Sequence, residues 1–183
     1  MEKCIPVVVI KELSETDKIL SALKNNGINC AEITFRTACA AEAIAYACKH
    51  YPDMSIGAGT VINAQQCEAA LAAGAQFIVS PGLSVSVAKI CNERNIPYYP
   101  GCVTPTEIMA ALELGITTVK FFPANVYGGL KAMKALAAPF PQIKFIPTGG
   151  VDRNNIDEFL AWDKIAAIGG SFFVKEALEK YDN

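Results

Sequence analysis

A lysine lies inside a short apolar segment that has the composition of a β-strand. In TTVKFF, residues 117–122, side chains alternate between two faces, so Val119 and Phe121 share one face and Lys120 and Phe122 share the other. An apolar setting favours the neutral amine of a lysine, which can attack a carbonyl carbon and form an imine. Lys120 therefore indicates covalent catalysis on a ketone or aldehyde, with a structural buried ion pair as the alternative.

A glutamate and an arginine occupy the matching face of a second strand-like segment. In AEITFR, residues 31–36, Glu32, Thr34 and Arg36 alternate with apolar residues. Removing a carboxylate from water costs several kcal/mol, so a site that needed only stability would carry an aliphatic side chain instead. Glu32 is then the obvious proton carrier for an imine reaction; the alternative is that it serves only as a counter-ion for Arg36.

Glycines and hydroxyl side chains follow the last two strand-like runs. KFIP precedes Thr148, Gly149 and Gly150, and KIAAI precedes a second glycine pair and Ser171. Bare backbone N–H groups, together with the start of a helical segment after Ser171, can bind phosphate. Tight turns with positive φ would explain the glycines but not the two hydroxyl residues.

A third glycine-rich stretch, GAGT at residues 57–60, lacks the third glycine and the downstream acidic residue of a dinucleotide fingerprint. We interpret it as a narrow strand end that a substrate carboxylate can approach, with Thr60 donating a hydrogen bond to that carboxylate.

These side chains need a fold that gathers the ends of several strands. About eight short strand-like runs alternate with helical patterns, which indicates βαβ units and a parallel sheet. Eight units favour a closed (β/α)₈ TIM barrel, an α/β fold whose active sites lie at the C-terminal ends of the strands. We predict one domain over residues 1–183.

Composition excludes several other functions. The net charge of −2 and scattered basic residues argue against nucleic acid or an anionic membrane as partner, and no apolar run is long enough for a signal peptide or membrane span. Seven cysteines without a CxxC pair are expected to be reduced packing residues. With one histidine, His50, we expect no catalytic triad, no metal and no cofactor, in a cytoplasmic protein.

Six motifs, EITFRT, GAGTV, QFIVSPG, VKFFPA, PTGGV and IGGS, closely resemble those of the 2-keto-3-deoxy-6-phosphogluconate (KDPG) and 4-hydroxy-2-oxoglutarate aldolase family in order and spacing, over nearly the whole chain. The resemblance implies a metal-free class I lyase of the Entner-Doudoroff pathway. Its partner would be a small phosphorylated keto acid, KDPG, cleaved to pyruvate and glyceraldehyde 3-phosphate, with 4-hydroxy-2-oxoglutarate as a further substrate. The resemblance also implies a homotrimer.

The same resemblance assigns roles to individual residues. Lys120 is implied to be the Schiff-base lysine and Glu32 the general acid/base. The remaining residues fall on two sides of the substrate: Arg36, Thr60, Pro81 and Phe122 around the pyruvate carboxylate and imine, and Thr148, Gly149, Gly150 and Ser171 around the distal part and its phosphate. Thr148 favours a gluconate-type over a galactonate-type enzyme.

The resemblance is weakest at the two ends. Family members usually carry an extra helix before the first strand and a longer final helix beyond the position of Tyr181, so we expect shortened ends and apolar surface that is exposed or covered by a partner. Two other functions stay open: a metal-dependent phosphate-binding barrel lyase or synthase, and a catalytically silent barrel that binds a phosphosugar acid.

Overall fold

The computed structural model describes residues 3–181, in which eight strands alternate with eight helices. The strands are β1 (Cys4–Val8), β2 (Cys30–Thr34), β3 (Ser55–Gly59), β4 (Ile78–Val79), β5 (Tyr98–Tyr99), β6 (Thr118–Phe121), β7 (Lys144–Pro147) and β8 (Ile168–Gly170). The helices are α1 (Glu15–Asn25), α2 (Ala40–His50), α3 (Ala64–Ala72), α4 (Val85–Glu93), α5 (Pro105–Glu113), α6 (Gly129–Ala137), α7 (Ile156–Leu160) and α8 (Phe172–Tyr181).

All strand pairs are parallel, and the sheet curls so that β1 pairs with both β2 and β8. Six strands follow the order β5-β4-β3-β2-β1-β8, while β6 and β7 form a second ladder. Single bridges connect the two ladders, from Gly101 to Lys120 on one side and from Thr148 to Gly169 on the other. The predicted parallel α/β architecture is confirmed, and the sheet is TIM-like with ladders that are interrupted on either side of β6 and β7.

Local sequence signals explain where several helices begin. Thr104 caps α5, where its hydroxyl accepts from the Glu107 N–H and the Glu107 carboxylate accepts from the Thr104 N–H, and Pro105 occupies the first helical position. Asn63 and Ser84 cap α3 and α4 through their side-chain oxygens. These caps satisfy N–H groups that lack partners within the helix.

Alternation along the strands divides apolar side chains between two clusters. Ile33, Val119 and Phe121 belong to the main core, which includes buried side chains of the helices. A smaller cluster, which includes Ile5 and Phe77, lies on the other face of the strands. Full burial of each such side chain stabilises the folded state by roughly 1.5–3 kcal/mol. A polar group placed between these clusters is therefore surrounded by packed apolar side chains.

Within residues 3–181, no helix is both long enough and apolar enough to cross a membrane. The predicted domain limits, 1 and 183, lie outside the described residues, as do Glu2 and Asp182.

Candidate active site

The structure brings Lys120 of β6 and Glu32 of β2 into direct contact. Lys120 Nζ donates a hydrogen bond to Glu32 Oε1 at 3.4 Å, although 88 residues separate them in sequence. Lys120 is 4 % and Glu32 2 % exposed, so neighbouring protein replaces almost all of their water. The two residues that the family resemblance implies to be the Schiff-base lysine and the general acid/base therefore contact each other.

Burial determines the protonation behaviour of Glu32. Loss of solvent is the largest influence on Glu32 and raises its pKa from an ordinary value of 4.5; the attraction of Lys120, the Lys120 hydrogen bond and the charge of Arg36 oppose this rise. A raised pKa suits a carboxyl group that must both accept and return protons near neutral pH. Lys120 Nζ also lies 5.2 Å from the ring centroid of Phe122.

Arg36 and Thr60 meet just beyond the C-terminal ends of β2 and β3. The Arg36 Nε donates to Thr60 Oγ1 at 3.0 Å, and Thr60 adopts a φ of 55° that few non-glycine residues adopt. This bond uses Nε, and a guanidinium carries two further nitrogens with four N–H donors suited to a carboxylate. The two residues predicted to hold the same carboxylate thus contact each other.

A cavity of about 210 Å³ opens beside this pair. Its lining includes Arg36 and Phe122 together with the residues predicted on the phosphate side, Thr148, Gly149, Gly150 and Ser171. Gly149 and Gly150 have φ values of 86° and 77°. Helix α8 begins at Phe172, directly after Ser171, so the positive end of its dipole and its first N–H groups lie at the cavity. The arrangement is suited to an anion.

Four predicted site residues are absent from the lining of this cavity: Glu32, Thr60, Pro81 and Lys120. Pro81 lies on an exposed loop after β4, with its carbonyl oxygen against Gly101; a Cβ at Gly101 would be 1.9 Å from that oxygen. Gly101 in turn is bridged to Lys120. Pro81 thus adjoins the lysine strand through the backbone of Gly101.

Two polar residues were not assigned a role from sequence. Thr34 is fully buried on the Glu32 face of β2, and its Oγ1 has no hydrogen-bond partner within the described part of the chain. Asn125, on the loop after β6, packs against Gly150, where a Cβ would be 2.3 Å from the Asn125 Cβ. Strand alternation could have singled out Thr34, whereas no sequence pattern indicates the contact of Asn125.

Across residues 3–181, no group of three or more His, Cys, Asp and Glu side chains is arranged to hold a metal ion.

A curled parallel sheet here positions a buried amine in contact with a carboxyl group, and a cavity suited to an anion lies close by. This combination is typical of a class I, imine-forming aldolase. Sequence comparison agrees. The family model described as KDPG and KHG aldolase matches residues 1–183, and the chain belongs to this family.

Individual relatives resemble the chain over most of their length. The 2-dehydro-3-deoxy-phosphogluconate aldolase of Treponema pallidum is 45% identical over 172 residues, which are 94% of this chain and 82% of the relative. The KDPG aldolase of Legionella pneumophila, solved with pyruvate captured at low pH as a covalent carbinolamine, is 40% identical with a TM-score of 0.92, covering 98% of this chain and 88% of that one.

A third relative was solved with a phosphorylated ligand. The 2-keto-3-deoxy-6-phosphogluconate aldolase of Zymomonas mobilis ZM4, with 3-phosphoglycerate, is 36% identical with a TM-score of 0.91 and covers 98% of this chain and 88% of its own.

Proposed function

We propose that this chain is a class I aldolase that cleaves KDPG to pyruvate and glyceraldehyde 3-phosphate through an imine at Lys120. The observation that carries the proposal is the buried contact of 3.4 Å between Lys120 Nζ and Glu32 Oε1. The covalent carbinolamine of pyruvate in the relative from Legionella supports the same chemistry here. The family also includes aldolases of KHG, which is 2-keto-4-hydroxyglutarate, another name for 4-hydroxy-2-oxoglutarate. This compound, cleaved to pyruvate and glyoxylate, is the second candidate substrate.

The first half of the reaction forms the imine. The neutral amine of Lys120 adds to the C2 ketone and gives a carbinolamine, to which Glu32 delivers the proton that lets water leave. The product is an iminium ion, which withdraws electrons from the neighbouring carbons. The ring of Phe122 lies beside the amine, with its centroid 5.2 Å from Lys120 Nζ.

The second half breaks the carbon–carbon bond. The Glu32 carboxylate, directly or through water, takes the proton of the C4 hydroxyl, the C3–C4 electron pair moves into the iminium, and glyceraldehyde 3-phosphate leaves. Glu32 then returns this proton to C3 of the enamine. Water adds to the resulting iminium, pyruvate and the neutral amine of Lys120 are released, and the proton given up in this hydrolysis returns to Glu32. One carboxyl group with a raised pKa can serve every proton transfer.

Binding groups flank the reacting carbons. Arg36 and Thr60 orient the keto-acid carboxylate, with Pro81 at the border of the pocket. The phosphate lies in the cavity against the N–H groups of Gly149 and Gly150 and the hydroxyl of Ser171, and Thr148 contacts the distal hydroxyl groups. The cavity that joins Arg36 to these loops supports this orientation of the substrate.

The molecular setting is part of the proposal. Isolated bridges on both sides of β6 and β7 support a closed (β/α)₈ barrel that forms one domain. The family resemblance supports a cytoplasmic homotrimer of the Entner-Doudoroff pathway. Small net charge supports the expectation of no nucleic-acid or membrane partner, and the reaction as written needs no metal or cofactor.

Reduction with borohydride in the presence of pyruvate tests the proposal. We expect pyruvate to be fixed to one peptide, with the modification at Lys120, and KDPG to be cleaved with unchanged rate in EDTA. Modification of another lysine, or none, would overturn the imine. Loss of activity in EDTA would favour a metal-dependent lyase, and tight binding of KDPG without cleavage would favour a silent binding protein.

A further inference from the structure

Gly59, the last residue of β3, lies against the carboxyl group of Glu32. A Cβ built on Gly59 would be 2.1 Å from Glu32 Oε1, 2.5 Å from its Cγ and 2.7 Å from its Cδ. Carbon atoms that do not bond pack at roughly 3.5–4.0 Å, so a methyl group and this carboxyl group cannot occupy these positions together. The space above the Gly59 Cα is filled by the Glu32 side chain.

Backbone conformation does not require glycine at this position. The φ of Gly59 is not positive. Gly59 lies in the parallel ladder between β2 and β3, where it pairs with Thr34. Its carbonyl oxygen accepts a hydrogen bond from the Phe35 N–H at 2.7 Å, which alanine would preserve. The requirement for glycine is therefore one of space rather than of conformational freedom.

We propose that Gly59 is a positioning residue of the aldolase reaction: its bare Cα surface holds the Glu32 carboxyl group at the distance from Lys120 that proton transfer needs. The inference rests on the proposed function for the role of Glu32. Because Glu32 is 2 % exposed, protein surrounds its side chain on nearly all sides and leaves little space for another position. The glycine surface and the lysine together define one position for the acid/base.

Other crowded glycines of the same sheet behave differently. A Cβ at Gly57, two residues earlier on the same face of β3, would meet the Phe77 ring at 2.2 Å, and one at Gly101 would meet the backbone of Pro81. At Gly59 all three nearest atoms belong to Glu32. A methyl group at Gly59 therefore displaces the catalytic carboxyl group, whereas one at Gly57 disturbs apolar packing.

A double-mutant cycle tests this role. We expect Gly59→Ala to lower kcat for KDPG about 10- to 100-fold, the scale of a misplaced reacting group, while KM changes less than about threefold. In a Glu32→Ala background the same substitution should have no further effect on the residual rate, because the displaced atoms are gone. Unchanged kcat in Gly59→Ala, or an equal loss in both backgrounds, would overturn the inference.

Gly57→Ala is the matched control on the same strand face. It should lower the thermal stability by disturbing Phe77, and its effect on rate should be the same with and without Glu32. Coupling of Gly57 to Glu32 as strong as that of Gly59 would show that any added methyl group on this face acts through the sheet, and would contradict a specific role for Gly59.

Thermal unfolding separates this inference from the proposed function. Gly59→Ala should destabilise the wild-type chain and have a much smaller effect in Glu32→Ala, whatever reaction the protein catalyses. If Gly59→Ala alone does not fold, recovery of folding in the double variant supports the contact, and failure of both variants rejects it. Wild-type protein that neither cleaves KDPG nor traps pyruvate would refute the proposed function and leave this stability test intact.

Discussion

The two ends of the candidate site achieve polarity in opposite ways. At one end, Lys120 and Glu32 are buried side chains that form an ion pair with each other. At the other, Gly149, Gly150 and Ser171 line an open cavity next to the N-terminus of α8. In the proposed function the first end carries out the proton transfers and the second end binds the phosphate. Substitutions at the two ends should therefore affect kcat and KM respectively.

The largest effect is expected from Lys120→Ala, which removes the proposed nucleophile. We expect kcat to fall by about 10⁴-fold or more, on the scale of a deleted nucleophile, together with loss of borohydride trapping. Lys144→Ala is a suitable control because Lys144 also lies in a strand but is exposed. Steady-state cleavage of KDPG measures both. Retained activity in Lys120→Ala would show that Lys120 is not the nucleophile, and would contradict the assignment of catalysis to this end of the site.

Glu32→Gln should have the second largest effect. We expect kcat to fall by about 10²- to 10⁴-fold, the usual contribution of a general acid/base. In the proposed mechanism the Glu32 carboxylate is the form that accepts the C4 hydroxyl proton, and this form is lost as pH falls through the pKa of Glu32. Because burial raises that pKa above 4.5, the acid limb of kcat should have its midpoint above this value and be absent in Glu32→Gln. An acid limb that persists in the variant would assign it to another group.

The reactive end could be predicted from sequence because a charge in a buried strand is costly and therefore conspicuous. Strand alternation placed Glu32 and Lys120 each on the strand face opposite to their apolar neighbours, although the sequence pattern does not show that the two side chains contact each other. The binding end was predictable only in outline. The glycine pairs indicated backbone donors, but the contact of Asn125 with Gly150 joins two loops that no periodicity relates. The Arg36–Thr60 bond likewise depends on the register of β2 and β3, which the sequence does not display.

Gly150→Ala probes the binding end. Gly150 has a φ of 77°, and a Cβ there would be 2.3 Å from the Cβ of Asn125, so the substitution disturbs the loop that we propose binds the phosphate. We expect KM for KDPG to rise about tenfold, the loss of one or two good hydrogen bonds to an anion, with kcat changed much less. Cleavage of 4-hydroxy-2-oxoglutarate, which has no phosphate, should be affected less.

Gly115→Ala controls for backbone strain in this experiment. Gly115 has the same φ of 77° but no atom within 4 Å of a built Cβ, so it carries the conformational cost of alanine without the contact at the cavity. That cost is about 1–2 kcal/mol of stability. Equal changes in KM for the two variants would mean that general destabilisation, rather than phosphate binding, explains Gly150→Ala.

The smallest effect is expected from Thr34→Val, at the reactive end. The Thr34 hydroxyl is buried without a hydrogen-bond partner in the described structure, as is that of Thr16 in α1. Replacing either hydroxyl by a methyl group of similar shape should raise the free energy of unfolding by about 1 kcal/mol, because an unsatisfied group is removed. Denaturant unfolding measures this gain, and Thr16→Val is the control outside the site.

The same two variants test whether Glu32 alone carries protons. If it does, kcat should stay within about twofold of the wild-type value in both variants, far below the loss expected when a proton-transfer group is removed. A larger loss of kcat in Thr34→Val alone would show that the Thr34 hydroxyl takes part in proton transfer together with Glu32. The cost of burying this hydroxyl without a partner would then be explained by its contribution to catalysis.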